Sequence, residues 1–219
     1  MMKTAARNTI HFLIALSLTA VIDSSSGYAS PLQHVSVVVD TDEYNLTVFS
    51  MGVPVKIYQV AVGKPETPTP VGEWHVSDKQ KNWGGGFGTR WIGLDVPWGT
   101  YGIHGTNKPF SIGQNMSNGC VRMHNKDVED LYDWIQVGTT VTVIGHPLRH
   151  FRRLAVGDIG VNVWLVQSRL TSLGFYRGKI DGRFGLLTEQ AVKDFERSNQ
   201  LPVDGVVSLH DYHELGLEE

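Results

Sequence analysis

The sequence predicts a mainly β first half carrying one helix, followed by a small all-α second half. Two observations lead to this. From His34 to Gly145 apolar residues recur at every second position, and turn-forming residues separate the runs. Beyond Gly145 the spacing becomes that of amphipathic helices. Composition agrees: 41% hydrophobic and 19% charged residues are ordinary for a globular protein.

Val35, Val37 and Val39 alternate, and Leu46 and Val48 follow the "DTDEYN" turn. After Met51-Gly52 comes "VPVKIYQVAVG", rich in β-branched residues. "PETPTPVG" (65–72) is a rigid extended connection, because each proline excludes its predecessor from the α region. Strand patterns continue at "EWHVSD", "TRWIGLDV", "TYGIHG" and "TTVTVIG", with the glycine loop "WGGGFG" (83–88) among them. The loop has two readings, a mobile flap beside a cleft or a plain connection. It lacks the Lys-Ser/Thr ending of a phosphate loop. Only 125–136 has helical spacing, with Val128, Leu131 and Trp134 on one face.

In the second half Val163, Val166, Leu170 and Leu173 form one helical face that Gly174 stops. A second helix is expected with Thr188 as N-cap, Glu189 in its first turn, and Leu187, Ala191 and Phe195 facing inward. "IDGRFGLLT" (180–188) recurs loosely as "VDGVVSLHD" (203–211), an internal echo in which each Asp-Gly turn precedes a helix start.

At the amino terminus, Lys3 and Arg7 precede an apolar run from Ile10 to Ile22, and Gly27-Tyr28-Ala29 stands before Ser30. That is the pattern of a signal peptide over residues 1–29, with an uncleaved anchor as the alternative. The run of about 13 residues is short beside the roughly 20 that a spanning helix needs. The expected organisation is therefore a leader (1–29), a β-rich domain (34–146), a linker (147–157) and a helical domain (158–217). Export to the cell envelope, either wall or periplasm, follows, with membrane contact only through an uncleaved leader. A formal charge of −3 argues against a nucleic-acid partner.

Cys120 is the single cysteine. In an oxidising compartment it has no internal partner, so it is either a small buried hydrophobe or a reactive thiol. The thiolate is the nucleophile, and an unperturbed thiol is mostly protonated at neutral pH, so a base or a cationic partner that shares the proton as an ion pair is needed. His104, sixteen residues upstream in "GIHGTN", sits where a strand enters a loop. Gly119 permits a sharp bend that turns the amides of Asn118, Gly119 and Cys120 toward one oxyanion. Such a donor is worth about 10²–10³ in rate. Arg122 has two readings, a fork that holds a substrate carboxylate or a structural partner of Asp127 or Asp130. Trp83, Trp91, Trp98 and Tyr101 line a groove or pack the core. The nine histidines include ligand-like gaps at Cys120–His124, His146–His150 and His210–His213, but none is joined by the acidic pattern of zinc hydrolases.

"GKPETPTPVGEW" and "YGIHGTNKPFSIGQNMSNGCVRMHNKDVEDLY" resemble the signature of the YkuD-type L,D-transpeptidases over roughly residues 35–145. The family often has His where Asn118 stands; a backbone amide serves there with either side chain. "VQSRLTSLGFYRGKIDGRFGLLTEQAVKDFE" with "LPVDGVV" resembles the small three-helix peptidoglycan-binding domain over about 161–217. The resemblance implies a mixed sandwich or barrel for the first domain and peptidoglycan as partner. It implies no metal or organic cofactor. Cys120 would be the nucleophile and His104 the proton donor and acceptor. The carbonyl of Gly105 would orient His104, and Asn118 and Gly119 would supply oxyanion amides. Arg122, Tyr101 and Trp98 would contact substrate. The implied reaction takes a stem tetrapeptide to a thioester, releases D-Ala and forms a 3→3 cross-link, with sensitivity to carbapenems. The alternatives are an L,D-carboxypeptidase, in which water resolves the thioester, and a wall-binding scaffold without catalysis.

Overall fold

The computed structural model describes residues 34–146 and 151–217. The expected leader and the first part of the expected linker, 147–150, lie outside the described residues. Among the described residues no helix is long and apolar enough to cross a membrane.

The chain opens with the hairpin β1 (Val35–Asp40) and β2 (Asn45–Ser50). Asp40 Oδ1 shapes its turn by accepting from the amides of Asp42 and Glu43 at 2.9 and 3.0 Å. Val37, Val39, Leu46 and Val48 point into the core, as a period of two requires. β3 (Val53–Gln59) pairs antiparallel with β2 and forms one edge of the sheet, with Val53, Val55 and Ile57 exposed. Pro54 is tolerated there because an edge strand has one unpaired side. The single apolar run expected over 53–63 is thus divided, and β4 (Val62–Gly63) leaves the main sheet.

β5 (Gly72–Lys81) is the long strand that joins the halves of the sheet. Its first residues pair with β10 (Thr140–Ile144), its last with β6 (Arg90–Leu94), and a bulge lies between Val76 and Asp78. β7 (Tyr101–His104) continues the sheet antiparallel to β6, and β9 (Val121–Arg122) closes it parallel to β7. The order is β3-β2-β1-β10-β5-β6-β7-β9, eight strands in one curled mixed sheet. β8 (Asn115–Ser117) pairs apart from it with β4. The β1–β10 and β7–β9 pairs are parallel. α1 (Asn125–Trp134) buries Val128 and Leu131, ending two residues earlier than its pattern predicts.

The helical part contains α2 (Val161–Ser172), α3 (Leu186–Ser198) and the six-residue α4 (Leu209–Glu214). Val163, Val166 and Leu170 are buried as expected, whereas Leu173 is 41% exposed because the helix ends beneath it. The expected start of α3 is corrected: Gly185, not Thr188, is the N-cap. The inward face comprises Thr188, Ala191, Val192 and Phe195, and Leu187, in the first turn, is 71% exposed. The internal echo has a physical basis. Buried Gln167 accepts through Oε1 from the amides of Asp181 and Gly182, and buried Glu196 accepts from the amide of Gly205. Each Asp-Gly turn is therefore tied down by a polar side chain from a preceding helix.

There are two apolar cores, one in each part. Val161, Trp164 and Leu165 of α2 join the core of the β-rich part. The Trp164 ring lies 5.5 Å from that of Trp74 and 6.3 Å from that of Trp98.

Candidate active site

The site is built where β6, β7 and β9 lie side by side. Trp91 pairs with His104 across β6 and β7, and His104 with Arg122 across β7 and β9. Ile103 and Val121, also paired, face the other way and are fully buried in the core. Alternation therefore sets the side chains of Trp91, His104 and Arg122 on one face. Cys120 immediately precedes β9, level with Gly102, and by the same alternation shares that face. Gly102 lacks a side chain for a reason: a Cβ there would come within 2.7 Å of the Trp91 ring. That ring stacks on the imidazole at 5.8 Å.

His104 is only 4% exposed. Its Nδ1 lies 2.5 Å from the carbonyl oxygen of Gly105. A carbonyl can only accept, so Nδ1 carries the proton and Nε2 keeps its lone pair. Burial brings the imidazole pKa down to about 4, and the Arg122 charge pushes the same way against hydrogen bonding to the backbone of Gly105 and Phe87. Phe87 and Trp83 belong to the glycine loop, whose rings pack onto Trp91 and, from Phe87, onto His104 at 4.9 Å.

Cys120 is partly buried. Burial pushes its thiol up, while a hydrogen bond to the Gly102 backbone and the Arg122 charge work in the opposite direction. The imidazole is lowered and the thiol raised, so burial favours the uncharged form of each group. An imidazolium that keeps the sulfur anionic does not fit these shifts. What fits is a thiol that gives up its proton during attack.

The turn before Cys120 is tightly built. Gly119 has φ +109°, and a Cβ there would strike the Tyr101 ring at 2.6 Å. Its amide donates to Ser117 Oγ at 3.0 Å. The expectation that Gly119 offers an oxyanion amide is corrected on that ground: its N–H is already taken in this conformation. Asn118 is exposed, and its amide remains a candidate together with that of Cys120. Ser117 O accepts from Lys64 N at 3.0 Å, so the proline-rich connection supports this turn from behind.

Tyr101 lies against Gly119, and charge on Cys120 reaches it; burial is the first cause of its raised pKa. Trp98 is also corrected. It is 6% exposed, edge-on to Trp74 at 5.4 Å and covered by Gly182, where a Cβ would sit 2.4 Å from the indole. It packs the contact with the helical part and does not face a substrate groove. Arg122 forms no ion pair with Asp127, Asp130 or any other acid among the described residues. Among the described residues no cluster of three or more His, Cys, Asp or Glu has metal-binding geometry.

One residue goes unnoticed in the sequence. Asn125, at the start of α1, accepts through Oδ1 from the amides of Thr106 at 3.1 Å and Thr89 at 3.3 Å. A polar residue beginning a helix reads as a terminus signal, and only the folded chain shows what it holds.

Comparison with known proteins places these observations in a family. The YkuD family model, described as the L,D-transpeptidase catalytic domain, matches residues 34–143, just over half the chain. A peptidoglycan-binding family model matches residues 160–209. The Bacillus subtilis protein YkuD is 51% identical over 88 residues, covering 40% of this chain and 52% of that protein. Bacillus subtilis YqjB is 44% identical over 116 residues, covering 46% and 65%. The chain thus spans between about half and two thirds of the length of these curated relatives. Among solved structures, L,D-transpeptidase 3 of Mycobacterium tuberculosis aligns at 20% identity and TM-score 0.47, over 51% of this chain and 61% of that one, too low for a shared activity to be read from it. The glycine-bent thiol turn and the strand-end histidine lie inside the matched residues, and the chain belongs to the YkuD family of L,D-transpeptidase catalytic domains.

Proposed function

We propose that this protein is an L,D-transpeptidase that acts on peptidoglycan stem tetrapeptides through a Cys120 thioester. The observation that supports this most strongly is the β7–β9 register, which sets His104 beside Arg122, two residues beyond Cys120. In the first half-reaction Sγ attacks the carbonyl between the third and fourth residues. The S–C bond forms as the thiol proton passes to His104 Nε2. The amides of Asn118 and Cys120 receive the negative charge on oxygen. The tetrahedral intermediate then expels D-Ala, whose nitrogen takes the proton from His104. In the second half, an amine of a neighbouring stem attacks the thioester. A C–N bond forms, the C–S bond breaks, and the proton returns to sulfur through the same imidazole.

Gly105 orients the base through its carbonyl, Tyr101 walls the nucleophile turn, and Arg122, whose guanidinium has no acidic partner among the described residues, holds a substrate carboxylate. Residues 158–217 act as a wall-binding part, packed on the β-rich part through α2, that keeps the catalytic domain on polymer and raises local substrate concentration. The activity belongs outside the cytoplasm, in the cell wall or periplasm, reached through the leader.

The test is incubation of purified protein with a disaccharide tetrapeptide, followed by mass spectrometry of the products. Free D-Ala with a 3→3 linked dimer supports the proposal. Free D-Ala with tripeptide and no dimer makes the protein an L,D-carboxypeptidase, and no D-Ala release makes it a wall-binding scaffold.

A further inference from the structure

We propose that Asn125 is a positioning residue for His104, acting through one peptide plane. This rests on the reading of His104 as the proton carrier. The Gly105 carbonyl, which accepts from His104 Nδ1, and the Thr106 N–H, which donates to Asn125 Oδ1, belong to the same peptide unit. A planar unit held at both ends cannot rotate about its flanking bonds without breaking one of them. Asn125 therefore fixes the carbonyl, the carbonyl fixes which nitrogen bears hydrogen, and Nε2 is left as the acceptor.

The surroundings are shaped for this contact. A Cβ on Gly105 would sit 2.2 Å from Asn125 Oδ1, and one on Gly88 2.1 Å from it. Two glycines thus admit the amide between them, and Gly88 has φ +64°. Oδ1 also accepts from Thr89 N, and the Asn125 backbone carbonyl from Thr89 Oγ1 at 3.5 Å. Thr89 leads from the glycine loop into β6, so one side chain ties α1, the exit of β7 and the entry to β6 together. The His124 and Asn125 side chains do not cap α1, which leaves this as the role of the Asn125 amide.

Two variants test this, read by the rate of carbapenem acylation of the full chain and by ¹⁵N resonances of the His104 ring, assigned by difference from His104→Gln. Asn125→Ala is expected to slow acylation by about 10- to 100-fold, the cost of misplacing a catalytic group by roughly an ångström. It is also expected to turn the single Nδ1–H tautomer into a mixture. Asn125→Asp keeps the acceptor for both amides, so its rate stays within a few-fold of wild type. Its carboxylate raises the pH at which His104 titrates. Asn125→Ala with wild-type rate and an unchanged tautomer overturns the proposal. Should that variant not fold, Asn125→Asp decides alone: an unmoved His104 titration overturns the proposal and a raised one supports it. If wild-type protein is not acylated, the transpeptidase reading fails, and the ring resonances still decide the role of Asn125.

Discussion

His104 stands directly opposite Arg122 in the parallel pairing of β7 and β9, and the guanidinium bears on the imidazole and on the Cys120 thiol alike. A fixed positive charge disfavours imidazolium and favours thiolate, so it lowers both pKa values. In the proposed mechanism the neutral imidazole and thiol are the reactive forms. Acylation should therefore reach its plateau above the imidazole pKa of about 4 and hold it until the raised thiol pKa is passed. Replacing Arg122 with Gln lifts both limits, and the whole pH–rate profile moves to higher pH. A profile that stays in place in Arg122→Gln contradicts this coupling.

Trp164 reaches from α2 into the core of the β-rich part, beside Val161 and Leu165. Trp164→Ala uncovers Trp74 and Trp98 and should cost about 2 kcal/mol or more, less than a fully buried tryptophan because its ring is only partly covered. Denaturant unfolding followed by near-ultraviolet circular dichroism measures it. Truncation before Val161 strips the same cover, so it should destabilise the β-rich part as well as remove wall binding.

Two buried groups give the two parts opposite responses to pH. Glu196 is raised from 4.5 to about 7, first by burial, so the folded state binds its proton more tightly than the unfolded state does. Its contribution is complete below 4.5 and is lost as pH rises through 7. His104 is lowered from 6.5 to about 4, so its neutral form is favoured by folding and stability is lost as pH falls through that window. Thermal unfolding across this range should show Glu196→Gln removing the decline at higher pH. An unchanged slope contradicts the assignment.

The strands were legible because one-sided burial imposes a period of two, and Val37, Val39, Leu46 and Val48 obey it without exception. The bend before Cys120 was legible because Gly119 can adopt the φ of +109° that it takes there. Parallel pairing was not, since β1 meets β10 and β7 meets β9 across long stretches of chain that leave no local mark. Trp98 was misjudged because an indole near a reactive motif has the same composition whether it lines a groove or seals a contact. The Gly119 amide was misjudged because its partner is Ser117, two residues away, and only the turn's geometry turns that N–H inward. Leu187 was misjudged because it lies at the margin of the apolar stripe, about 100° from Thr188 at the helix's 3.6 residues per turn, and in the first turn little packs over it.

The central claim is that Cys120, activated by His104, is the nucleophile. Intact-mass analysis after exposure to a carbapenem tests it most directly. The account predicts one covalent adduct on wild-type protein, a far slower one on His104→Gln, and none on Cys120→Ala. An adduct that persists in Cys120→Ala, or its absence from folded wild-type protein, would contradict it.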